Sequence, residues 1–200
     1  MKCIASSMTT TALEIRTRTA VHEAGRVVAF YRLGYAPHAV SIVPVVGQGD
    51  DAPAAVERRR DVDTESAGAQ VLSVLAGSAA ERAAGLPGAW ANTETAEAVI
   101  DLWALPGRLA SWKARATRLM GEPRNVNAVR ALAVCLLAHD AIDARLVELI
   151  IRYADGECSD LELLGPLQSS GWLKLPKGKH SATQAEIAEM VRGAIWPPAS

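Results

Sequence analysis

Aromatic side chains are scarce: Phe, Tyr and Trp make up 4% of the 200 residues, and phenylalanine occurs once. With alanine at 37 positions, this composition favours closely packed helices over an aromatic, β-branched sandwich. Cysteine occurs three times, at Cys3, Cys135 and Cys158. That odd, widely spaced set without a C-x-x-C excludes a disulfide framework and a cysteine zinc knuckle, and fits reduced thiols in a cytoplasmic setting. Neither sign of charge dominates, with 21 Lys and Arg against 22 Asp and Glu and a formal charge of -1. Nothing in that balance attracts a nucleic-acid backbone or an anionic membrane. Long apolar runs are missing too: the longest clean one, Ala131 to Ala138, is far below the roughly 18 residues of a membrane span. Met1 to Thr11 has one lysine and no apolar stretch of the kind a signal peptide needs. There is no G-x-S-x-G elbow and no cysteine with a histidine in a recognisable local motif. Gly178-Lys179-His180-Ser181 lacks both the upstream glycine and the hydroxyl after the lysine of a phosphate loop, so no ATP site is expected.

What is present, 50% hydrophobic and 22% charged residues, suffices for one buried core. Helical spacing of Ile15, Val21, Val27, Val28, Phe30 and Tyr31 predicts a long first helix from Leu13 to Leu33, stopped by Gly34. The β-branched run Val40 to Val46 predicts a short strand, with Pro44 suited to an edge. Gly47 to Asp63 predicts an exposed loop, in which Arg58-Arg59-Arg60 is neutralised by Glu57, Asp61 and Asp63. Further helices are expected over Thr64 to Ala84, Asn92 to Ala104, Arg108 to Met120, Asn125 to Ala138 and Ile142 to Tyr153. The second carries the small cluster Ala76-Gly77-Ser78-Ala79-Ala80, which lets another helix approach closely. After Gly156 the pattern weakens, apart from an amphipathic stretch from Thr183 to Ile195. The expected fold class is therefore mainly α with one small β element.

The segment richest in chemistry is Ala20-Val21-His22-Glu23-Ala24-Gly25-Arg26, within the first helix. It is one residue away from H-E-x-x-H, where two histidines on one helix face hold zinc and the glutamate is general base on the metal-bound water. Here Arg26 stands at the second histidine position. Trp90, Trp103 and Trp112 are expected as core or interface anchors. His38 reads as a surface or satisfied histidine, and so does His180. His139-Asp140 with Asp143 suggests a metal cluster at first sight, but a helix junction calls for His at a C-terminus and Asp at an N-cap. Glu81 suits equally a hydrogen bond near the site and solvent.

These blocks in order resemble the peptidase domain of FtsH, the ATP-dependent zinc metalloprotease family, whose first site helix reads close to A-x-H-E-A-G-H. His38-Ala39-Val40-Ser41-Ile42-Val43-Pro44 is similar to its H-K-V-T-I-x-P strand, and Leu75-Ala76-Gly77-Ser78-Ala79-Ala80-Glu81 to its L-x-G-R-x-A-E helix. Val129-Arg130-Ala131-Leu132-Ala133 with Leu136-Leu137 and Val147-Glu148 resembles its last helix pair. The resemblance covers residues 17–155, leaving an N-terminal segment, 1–16, and a C-terminal extension, 156–200. It implies an FtsH peptidase-like helical domain, proteolysis, and a zinc site of two histidines and an acidic residue from a later helix. The family's third ligand is an aspartate in G-A-S-N-D-L-x-x-A. Spacing from Gly88-Ala89 puts Asn92 there, with Ala96 at the matching alanine; a two-residue shift offers Glu94 with Ala98. Asn is a poor zinc ligand, whereas Glu can serve.

A guanidinium does not deprotonate in a protein, so Arg26 places a permanent charge near the zinc position. A divalent ion about 4 Å from it, at an effective dielectric of about 20, would be repelled by roughly 8 kcal/mol. Arg26 is also at i+3 from Glu23, a spacing that allows pairing. The first expectation is thus a stand-alone cytoplasmic pseudo-peptidase without ATPase module, membrane anchor or zinc, binding a protein or peptide in a regulatory role. The second is an active zinc metallopeptidase cleaving unfolded peptides with His22, Glu94, an unrecognised third ligand and Glu23 as base. The third is a helical interaction or assembly subunit. By resemblance to a ring-forming family, a homo-oligomer is open.

Overall fold

Residues 5–43, 63–86, 90–173 and 184–195 are described by the computed structural model. Among them, the chain is mainly helical with one two-stranded antiparallel sheet. Helix α1 (Ala5–Arg32) starts earlier than its apolar spacing predicts and ends at Gly34, whose φ of +85° allows Tyr35 N to return to Phe30 O. Strand β1 (Val40–Ser41) follows and is two residues long; Pro44 to Val46 of the expected strand lie outside the described residues. So do the Arg58–Arg60 loop, Gly88-Ala89, Cys3 and Gly178-Lys179-His180-Ser181.

Helix α2 (Thr64–Ala83) opens on a reciprocal cap in which Ser66 N donates to Asp63 Oδ1 and Asp63 N donates to Ser66 Oγ. Every residue from Val71 to Glu81 is buried. A helix enclosed on all sides sits at the centre of its fold, and small side chains make the enclosure possible. A Cβ on Gly25 would lie 2.5 Å from Ala80 Cβ and 2.9 Å from Ala76 O, so α1 and α2 cross nearly backbone to backbone. The small cluster does here what its composition predicts.

Helices α3 (Thr93–Leu102) and α4 (Leu109–Gly121) pack on α2 through Ala96, Ile100, Trp112, Ala116 and Met120. Helix α5 (Pro123–His139) lies against α1 and leads into β2 (Ala141–Ile142), which pairs Val40 with Ile142 and Ser41 with Ala141. Helix α6 (Ala144–Ala154) is capped by Asp143, whose side chain accepts from Leu146 N. His139 closes α5 and Asp143 opens α6, as the junction reading expects. Asp140 accepts from Arg16 instead, and the His139 ring stacks on Trp172 at 3.9 Å.

The segment beyond residue 156 carries two helices with buried faces. Helix α7 (Asp160–Ser169) begins with a Ser159–Glu162 capping box and buries Leu163 and Leu167. Helix α8 (Gln184–Ile195) buries Val191 and Ile195 and reaches α5. No helix among the described residues is long and apolar enough to cross a membrane.

Candidate functional site

The four side chains that matter most come from two helices. Arg18, His22 and Arg26 succeed one another every four residues along one side of α1, and Glu81 meets the first two from the last turn of α2. Glu81 is 3% exposed at its side chain, with His22 Nδ1 2.5 Å from Oε1 and Arg18 Nε donating to Oε2 at 2.6 Å. Of the two readings open for Glu81, the buried, hydrogen-bonded one holds. Burial pushes its carboxyl up, but the hydrogen bonds and charges of His22 and Arg18 outweigh that and hold it below the ordinary carboxylate value. An ionised carboxylate only accepts, so His22 Nδ1 carries the hydrogen. Metal sites use the same carboxylate–imidazole support to fix a ligand histidine.

The rest of the imidazole lies on α2. A Cβ at Gly77 would stand 2.5 Å from His22 Nε2 and 2.6 Å from both neighbouring ring carbons. Only glycine at that position leaves room for the ring. His22 therefore spans one turn of α2, from Gly77 to Glu81.

One turn further along α1, Arg26 is buried at 6% exposure. Its Nη1 lies 3.3 and 3.4 Å from the two oxygens of Glu23, and its Nε is buried without a hydrogen-bond partner. Charge-assisted contacts normally close to about 2.7–2.9 Å, so this pair is loosely bonded. The i,i+3 contact is nonetheless the one the spacing predicts. Ser73 Oγ donates to Arg26 O at 3.1 Å and ties this turn to α2.

His38 belongs to the same neighbourhood, a role its sequence position did not announce. It is partly buried and sits edge-on to Phe30, with ring centroids 5.8 Å apart. Burial lowers its pKa below the ordinary imidazole value, the charge of Arg26 lowers it further, and Glu23 opposes both.

Asn92 and Glu94 are not joined to this cluster by any hydrogen bond or ion pair. Asn92 precedes α3 in the left-handed region, at φ 56°, with no side-chain capping bond. Glu94 is exposed in the first turn of α3. What does reach the site from this side is backbone: Ala91 N donates to Ser78 Oγ at 2.9 Å. Among the described residues no group of three or more His, Cys, Asp or Glu side chains could hold a metal ion. The donor set on α1 comes to one histidine, one glutamate and a guanidinium.

The sequence reading missed Arg18, and took His38 for a surface or satisfied histidine without a place beside Arg26. Arg18 could have been found, since i−4 from His22 is the same helix face. His38 could not, because only the fold carries it back to Glu23 and Arg26. The three tryptophans fit their expected roles: Trp112 is in the core, and Trp90 and Trp103 pack against it. No family model, curated protein or solved structure matches the chain.

Proposed function

We propose that this chain is a degenerate FtsH-type peptidase fold in which the Arg26 guanidinium occupies the place of the metal, and that it serves as a non-catalytic protein- or peptide-binding regulator. The observation that carries the reading is the buried Arg26, one helical turn after His22 and facing Glu23. In H-E-x-x-H that turn delivers the second ligand, and the glutamate faces the ion's water. Here the would-be base faces a fixed cation instead. A carboxylate turned toward a guanidinium on its own helix is not turned toward a metal-bound water. Support also comes from Glu81, which holds His22 through Nδ1 as the outer shell of a metal site would. If zinc were bound, His22 would be its only histidine on α1, since Glu23 faces Arg26 and Arg26 stands at the second histidine position. With one such donor the residues present do not fit a resident zinc, and no catalytic step is derived through one.

The test is the zinc content of protein purified without chelator, beside Arg26→His and Glu23→Gln, paired with cleavage of an unfolded casein-type substrate. The expected result is no stoichiometric zinc and no cleavage in the parent, with zinc gained by Arg26→His. Zinc near one per chain in the parent, with cleavage lost in Glu23→Gln, would overturn the reading in favour of a working metallopeptidase.

A further inference from the structure

Two neighbouring helices carry faces of opposite charge. On α3, Glu94, Glu97 and Asp101 are exposed at i, i+3 and i+7, and the helix contains no basic residue. On α4 and its cap, Arg108, Arg115 and Arg118 are exposed at i, i+7 and i+10, and the helix contains no acidic residue. Both spacings gather three charges on one side of a helix. None of the six forms an ion pair among the described residues. The arginines of α1 differ, since Arg16, Arg18, Arg26 and Arg32 each meet a carboxylate. Helices α3 and α4 both pack on α2 and touch each other, so their outer faces are adjacent. At the end of α3, next in sequence to Asp101, Leu102 is 79% exposed, the most exposed large apolar residue described.

From this we infer that α3 and α4 form a self-complementary docking surface for a second copy of the chain, with α3 of one protomer facing α4 of the other. A two-fold axis near Leu102 would satisfy both faces at once: the acidic strip of each copy meets the basic strip of its partner, and the two leucines bury each other. A two-fold pairing is closed, so it ends at a dimer rather than a filament. A polyanion fits the observations less well. Its phosphates would be drawn to α4 but repelled by the acidic strip next to it, and the chain as a whole is at -1. Exposed ion pairs contribute little individually. The dimer is therefore weak, with charge setting register and encounter and Leu102 supplying the apolar contact.

Sedimentation velocity over a concentration series tests this on the full chain. All variants are at exposed positions, and since the Arg115 guanidinium lies 4.6 Å from the Trp112 ring centroid, circular dichroism confirms the folded state of each. A reversible dimer is expected at low salt, weakening about tenfold between about 0.05 and 0.5 M salt as screening sets in. Leu102→Asp is expected to be monomeric. So is Arg115→Glu with Arg118→Glu, and so is Glu97→Lys with Asp101→Lys. Mixing those two charge-reversed proteins should restore a one-to-one complex, because each now offers what the other lacks. A parent that stays monomeric at every concentration overturns the inference, as does a dimer indifferent to all three variants. Retention of a monomeric parent on heparin, lost in the arginine variant, would assign the α4 face to a polyanion and equally overturn it.

Discussion

Arg26 and Arg32 leave the same helix and are buried alike, each with 7% of its side chain exposed, yet they are bonded very differently. Arg32 closes two parallel contacts of 2.6 and 2.7 Å on Asp155 from α6, and its Nε donates at 2.7 Å to Asn125 from α5. Asn125 in turn donates to Leu119 O at the end of α4, so one guanidinium fastens the ends of four helices. Arg26 reaches only Glu23 on its own helix, at 3.3 Å, and leaves Nε unused. Both burials cost desolvation, and only the first is answered by bonds of full strength. Arg32 is built into the architecture. Arg26 occupies a place whose surroundings do not complete it.

The largest expected effect separates the two directly. Arg32→Met leaves Asp155 buried and uncompensated, for a loss of about 3–5 kcal/mol in urea unfolding. Arg26→Met removes an orphaned Nε and leaves the more accessible Glu23, and is expected within about 1 kcal/mol of the parent. Equal losses would break the comparison. A second variant asks whether the seam beside Arg26 is loose in packing as well as in bonding. Gly77→Ala drives a methyl into the His22 ring, and overpacking of about 1–3 kcal/mol against a helix-propensity gain of about 1 predicts a net loss of up to about 2. Gly193→Ala in α8, with nothing within 4 Å of the added Cβ, should instead stabilise by up to about 1 kcal/mol. A Gly77→Ala protein as stable as its parent would mean that the seam yields.

The smallest effects are in titration. His38 should titrate below its ordinary 6.5 in an NMR pH series, and Arg26→Met should raise that value by removing a like charge, while Arg32→Met leaves it in place. A folded pKa below the unfolded one means that the unfolded chain binds more protons. Stability from His38 is then present above pH 6.5 and lost as pH falls through the folded value. Glu81 has the same sign lower down: its contribution is present above about pH 4.5 and declines as pH falls through the depressed folded value. Glu81→Gln should flatten that acid limb, and an unchanged limb would contradict the bonding described for Glu81.

The helices were largely legible because their signals are local. The start of α2 at Thr64 follows from a cap four residues long, and the close crossing at Gly25 follows from the small residues between Ala76 and Ala80. Several starts were misjudged: α1 begins at Ala5 and not Leu13, and α6 at Ala144 and not Ile142, which belongs to β2. Pro123 opens α5 where it was passed over for Asn125, although proline suits the first turn of a helix. Helix α7 was hidden by Gly165-Pro166, which read as a stop, while its capping box at Ser159 and Glu162 went unused. In the site, Glu23 and Arg26 were paired correctly because three residues separate them. Glu81 meets His22 across 59 residues and Asp155 meets Arg32 across 123. No spacing rule reaches that far, so the clamp and the carboxylate behind His22 appear only in the fold.

Burial of the thiols gives the molecule an internal reporter. Cys135 is fully enclosed in α5, where burial pushes its thiol up to about 12, and Cys158 is buried just ahead of α7. Thiolate is the reacting form, so neither is labelled until its surroundings open. In a Cys3→Ser chain, the labelling rate at Cys158 would follow release of the α7 end alone, and the rate at Cys135 would follow unfolding of the whole core. The ratio of the two rates measures how far the C-terminal helices open independently of the bundle they cover.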